Sequence, residues 1–91
     1  MKVTVYATLR PIVGGAQVPT TVQPGQSIRN LVDDLVTRWP DLRPEMVDAD
    51  GNLLRRIQIF VNGRSTRYLA GMDTVIPEGA SIAIFPPVGG G

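Results

Sequence analysis

The sequence predicts an α+β fold: a mixed sheet of four to five strands with one main helix packed on one face. Three observations carry this prediction. Segments near both ends and past the middle alternate apolar and polar residues with a period of two. One stretch, 28–39, repeats apolar residues at steps of three and four. An Asn-Gly pair at 62–63 sits between two strand-like runs, where a tight hairpin needs residues that tolerate positive φ.

Taken in order, Val3, Val5, Ala7 and Leu9 share one parity and Thr4, Tyr6 and Thr8 the other, which reads as a half-buried strand. Pro11 and Gly14-Gly15 break it. Residues 16–23 hold Val18 and Val22 around Pro19 and read as a weak edge strand. After the turn at Pro24-Gly25, Ser27 is a suitable N-cap, since its hydroxyl can accept from an orphan helix amide. Ile28, Leu31, Val32, Leu35, Val36 and Trp39 then form one apolar helix face, and Pro40 stops the helix at Trp39. Leu42, Met46 and Val47 suggest a short amphipathic turn. Residues 56–61 form a strand with Ile57, Ile59 and Val61 inward, and 64–68 its return. Leu69 and Met72 pack in a turn near Gly71. Residues 80–85 form the last strand, with Ile82 and Ile84 inward, ended by Pro86-Pro87. This order fits the ubiquitin-like β-grasp fold, with a domain over 1–85 and a Gly-rich tail over 86–91.

Composition narrows the chemistry. A formal net charge of +1 offers no electrostatic case for nucleic acid. No apolar run approaches a membrane span or a signal sequence, so no membrane partner and a cytoplasmic location are expected. Without cysteine or histidine, no disulfide, thiolate or imidazole is available. Ser27, Ser65 and Ser81 therefore lack a base, and no metal site is expected. Asp33 and Asp34 are adjacent on the helix and diverge. With Asp48 and Asp50 they read as solvated charge. Gly14-Gly15 has no following Lys-Ser or Lys-Thr and reads as a loop, not a phosphate cradle.

What remains is the segment Phe85-Pro86-Pro87-Val88-Gly89-Gly90-Gly91. Residues 86–91 reach about 20 Å when extended. Two prolines stiffen its base, and glycines pass through a channel that excludes side chains. The α-carboxylate is ionised at neutral pH and can attack an activated phosphate.

The run Glu78-Gly79-Ala80-Ser81-Ile82-Ala83-Ile84-Phe85 together with this tail resembles the C-terminus of the MoaD/ThiS-type sulfur carriers. Leu42-Arg43 to Val47-Asp48, Asp50-Gly51-Asn52-Leu53, Phe60-Val61-Asn62-Gly63 and Gly71-Met72-Asp73-Thr74 resemble further segments of that family. The resemblance implies a protein cosubstrate with no permanently bound cofactor, not an enzyme. A ubiquitin-activating-enzyme-like adenylyltransferase and sulfurtransferase would use ATP to adenylate Gly91. The adenylate would become a thiocarboxylate that donates sulfur to a biosynthetic enzyme making cysteine, molybdopterin or thiolated nucleosides. Gly89 and Gly90 would thread the channel. The chain departs from the pattern in ending on three glycines rather than two. The loop from Leu9 to Gly15 more closely resembles the branch that serves cysteine synthesis. The alternatives are the small subunit of molybdopterin synthase, a ubiquitin-like modifier, and a plain interaction module.

Strand parity predicts a docking face as well. With Val3, Val5, Ile57, Ile59, Val61, Ile82 and Ile84 under the helix, Tyr6, Phe60, Ala83 and Phe85 fall on the opposite face. Clustered aromatics there would anchor a partner, joined by Pro86, Pro87 and Val88 at the root of the tail. Arg55, Arg56, Arg64 and Arg67 lie near the same hairpin; they read as a solvated face, with an acidic partner as the alternative.

Overall fold

A computed structural model of the chain describes residues 1–87. Its strands are β1 (Lys2–Val5), β2 (Gln58–Val61), β3 (Arg64–Ser65) and β4 (Ser81–Phe85). Its helices are α1 (Arg10–Val13), α2 (Ile28–Arg38) and α3 (Arg43–Met46), with several single 3-10 turns between elements. The strands form one four-stranded sheet in the order β1-β4-β2-β3. β4 pairs parallel with β1 and antiparallel with β2. This is the arrangement the element order predicts, with β1 and β2 flanking β4.

α2 forms where the sequence places it. The Ser27 side chain accepts from the Asn30 amide, and the Asn30 side chain accepts from the Ser27 amide, closing a capping box. Trp39 leaves helical geometry before Pro40, and its amide still donates to the Leu35 carbonyl at 2.8 Å. The apolar stripe Ile28, Leu31, Val32, Leu35 and Val36 is buried against Val3, Val5, Ile59, Val61, Ile82 and Ile84 of the sheet. Leu35 is fully buried; burying such a side chain contributes about 1.5–3 kcal/mol. Ser27→Ala is expected to lower unfolding stability by about 1 kcal/mol in urea titration, with an unchanged spectrum of the folded state.

Asn62 and Gly63 turn the chain from β2 into β3 with φ of 51° and 83°, the two left-handed residues that a type I′ turn requires. Asn62 also clips the turn to β4. Its amide donates to the Ser81 carbonyl at 2.8 Å, and its side-chain carbonyl accepts from the Ser81 amide at 2.9 Å.

Two expectations near the N-terminus are corrected. The first strand ends at Val5 rather than running to Leu9, because Ala7 takes a φ of 52°, off the extended path. Leu9 is still fully buried, but it enters the core from a 3-10 turn. Residues 16–23 are not a fifth strand. Val5 donates to the Ala16 carbonyl and Val18 to the Val3 carbonyl around a single bridge, Thr4 to Gln17. Pro19 then lacks the amide that a longer ladder needs.

Side chains hold that segment instead. Thr20 donates to the Asp34 carboxylate at 2.8 Å, and Arg38 pairs with the same carboxylate at 2.9 Å and donates to the Pro19 carbonyl. Burial pushes the Asp34 carboxyl up, but the Thr20 hydroxyl, Arg38 and the Thr21 amide outweigh it and hold it below its ordinary value. Ionised Asp34 therefore stabilises the folded state above its unfolded pKa, and this contribution disappears as pH falls through the lower folded value. Asp34→Asn is expected to lose about 1 kcal/mol at neutral pH. In denaturation measured across pH, the difference from wild type should close at acidity below the ordinary carboxylate range.

The return strand is shorter than expected, since Thr66–Tyr68 is a 3-10 turn, and Leu69 is exposed rather than packed; the other smaller expectations hold. Residues 43–46 form the amphipathic turn, burying Met46. Met72 packs against the core, and Trp39 sits half-buried at its edge beneath the Arg38 guanidinium. Among the described residues, no helix is long and apolar enough to cross a membrane.

Candidate functional site

The sheet face turned away from α2 carries the site. On β4, Ile82 and Ile84 point to the core, so Ala83 and Phe85 point outward. The parallel register Val5 to Ile84 places Tyr6, the next outward residue after β1, beside Phe85. The antiparallel register Phe60 to Ala83 places Phe60 on its other side. The rings meet in one cluster. Tyr6 stacks on Phe85 at 4.3 Å between centroids and 11° between planes, and Phe60 meets Phe85 edge-on at 5.5 Å and 87°. All three remain half-buried, with part of each ring open to solvent.

Phe85 is thus the centre of the cluster and also the last residue of β4. Beyond it, Pro86 is buried and Pro87 exposed. With Arg56, Gln58, Phe60 and Phe85, the two prolines line a groove of about 310 Å³. A second hollow of about 350 Å³ lies along Phe60, Ala83 and Phe85 toward Gly63. The aromatic ridge therefore has a depression on each side, one of them at the root of the tail.

Tyr6, Phe60, Phe85, Pro86 and Pro87 are brought together as the strand parity and element order suggest. Val88, Gly89, Gly90 and Gly91 lie outside the described residues. Of the neighbours of the site, Arg56 was noted from the sequence with the arginines near the hairpin, whereas Gln58 and Arg10 were not singled out. Gln58 and Arg56 share the parity of Phe60, and that alternation alone would have placed them on this face. Arg10 holds its guanidinium carbon 5.0 Å from the centre of the Tyr6 ring, and its Nε donates to the Val5 carbonyl. No local pattern signals that contact, because the turn at Ala7 brings Arg10 back. Among the described residues this face carries the Tyr6 and Ser81 hydroxyls, and the chain has no histidine or cysteine to pair with them. What it offers is an apolar surface with cationic edges.

The ThiS family model matches residues 3–91 of the chain. The chain is 30% identical over 91 residues to the sulfur carrier protein CysO of Mycobacterium tuberculosis, covering 98% of this chain and 96% of that protein. It is 28% identical over 86 residues to small archaeal modifier protein 3 of Haloferax volcanii, covering 94% and 92%. The crystal structure of the Amycolatopsis orientalis BexX/CysO complex holds a similar chain, with a TM-score of 0.82, 26% identity, and coverage of 99% of this chain and 98% of that one. The aromatic face and the strand that leads into the glycine tail therefore sit on a ubiquitin-like β-grasp body, and the chain belongs to the ThiS family of sulfur-carrier proteins.

Proposed function

We propose that this sulfur carrier works through Gly91, whose carboxyl group is adenylated and then converted to a thiocarboxylate. The observation that carries the reading is the position of Phe85. It is the hub of the half-buried aromatic cluster and the last strand residue before Pro86-Pro87-Val88-Gly89-Gly90-Gly91. A partner that grips Tyr6, Phe60 and Phe85 holds the root of the tail in register, so the glycines need search only a short distance. That preorganisation lowers the entropy cost of presenting the terminus.

The chemistry balances as follows. A carboxylate oxygen of Gly91 attacks the α-phosphorus of ATP, and pyrophosphate leaves. Hydrosulfide delivered by the activating enzyme attacks the acyl carbon, AMP leaves with the oxygen, and the sulfur gives up its proton to solvent. The terminus then carries one sulfur in place of one oxygen. In this reading the chain is a protein cosubstrate. It acts in the cytoplasm, where ATP is available, with a ubiquitin-activating-enzyme-like adenylyltransferase and a sulfur-accepting biosynthetic enzyme. Gly89 and Gly90 thread the channel, and Pro86, Pro87 and Val88 pack at its mouth.

Intact-mass analysis of protein from its native host tests this. A gain of about 16 Da is the expected signature of oxygen replaced by sulfur. The likeness to a small archaeal modifier favours a second reading, conjugation of Gly91 to lysines of other proteins. Isopeptide-linked adducts with no thiocarboxylate species would select that reading instead.

A further inference from the structure

The carboxylates of this chain are unevenly spread along it. Residues 33–50 hold six of the eight acidic residues, whereas 51–72 hold Arg55, Arg56, Arg64 and Arg67 and no acid. The ion pairs among the described residues are Arg29 with Asp73 and Arg38 with Asp34, so none of these four arginines has an acidic partner there.

Arg55 and Arg56 diverge. Arg56 lines the groove beside Phe60 and Phe85. Arg55 lines a different groove of about 370 Å³, whose apolar walls include Leu53, Leu54, Ile57 and Met72 and which Arg67 also borders. Ile57 has the inward parity of β2, so this groove does not belong to the aromatic face. Its walls are fixed. Leu54 donates to the Met46 carbonyl, Ile57 donates to the Leu54 carbonyl, and Val47 bridges to Leu53. Arg67 Nη2 donates to the Ile57 carbonyl at 3.3 Å, which holds that guanidinium at the groove. Tyr68, the next residue, is 88% exposed, and Leu69 after it is 37% exposed.

We propose that this groove is a second docking surface, which receives an acidic amphipathic segment of a protein partner. Leu53, Leu54 and Met72 take an aliphatic or aromatic side chain over the buried Ile57, and Arg55 and Arg67 take flanking carboxylates. Charge complementarity selects this occupant. Two guanidiniums without carboxylates beside an apolar floor suit carboxylate forks next to a hydrophobic anchor. The groove uses none of Tyr6, Phe60 or Phe85, so it can be filled while the tail and aromatic face are engaged. The proposal does not depend on the chemistry at Gly91.

The test is selection of a displayed random dodecapeptide library on the folded full-length protein. Binding of the selected peptides is then measured, and amide shifts are mapped on the labelled protein. The expected result is enrichment of Asp and Glu next to Leu, Ile, Phe or Met. Shifts should be confined to residues 52–57 and 66–72, and added salt should weaken affinity. Arg55→Glu, at an exposed position, should weaken binding about tenfold or more, and Arg55→Lys should restore part of it. Selected peptides without acidic enrichment, shifts centred on the aromatic face, or an unchanged affinity in Arg55→Glu would overturn the proposal. So would saturable binding of phosphatidylglycerol vesicles at this groove without binding of acidic peptides.

Discussion

Removal of Gly90 and Gly91 should abolish ATP-dependent activation and leave the folded body intact. The expected readout is pyrophosphate release by the activating enzyme falling to the level measured without carrier, while the thermal midpoint stays within error of the full chain. The two halves of this expectation have separate physical causes. The core side chains among the described residues lie between Val3 and Ile84, and the two deleted glycines have no side chain to add to them. Chemistry at the terminus, in contrast, depends on placing one carbon against an α-phosphate. Misplacement by an ångström costs such reactions about a hundredfold, and two missing residues withdraw the terminus by about 7 Å. Continued turnover with the truncated chain would remove the carrier mechanism from consideration.

The second large effect is expected at Phe85. Phe85→Asp should weaken association with the activating enzyme by about thirtyfold or more, corresponding to an anchor worth roughly 2 kcal/mol. The substitution removes the ring that both Tyr6 and Phe60 contact and places a carboxylate in an apolar depression. Because Phe85 lies on the central strand, folding must be measured alongside binding. Phe60→Asp, on β2, provides a second variant in which the β1–β4 pairing is untouched. A folded variant of either kind with wild-type affinity would show that the aromatic face is not the docking surface.

These expectations rest on features that differ in how far the sequence reveals them. The α2 boundaries were legible because Ser27 and Pro40 act through neighbouring backbone groups. The Asn62-Gly63 turn was legible because few residues accept two consecutive left-handed conformations. The aromatic face followed from parity once the strand order was assumed. Residues 16–23 were misread because Val18 and Val22 show a buried alternation that the fold satisfies differently. They are buried, at 5% and 7% exposure, by side-chain fastening to α2 rather than by a ladder. Leu9 kept its expected burial on a different path, since periodicity does not register the single positive φ at Ala7.

By itself, the sequence determined the helix and its cap, the hairpin turn, the absence of thiol and imidazole from these residues, and the run Gly89-Gly90-Gly91 without side chains. Those are properties of single residues or near neighbours. Only the tertiary structure decided that Tyr6 stacks on Phe85, that Arg10 returns over Tyr6, and that Arg55 and Arg56 face different grooves. The first depends on the parallel register of β1 with β4, the second on the positive φ at Ala7, and the third on the packing around β2. Such registers join opposite ends of the chain, and burial of the whole sheet against α2 selects them rather than any local preference.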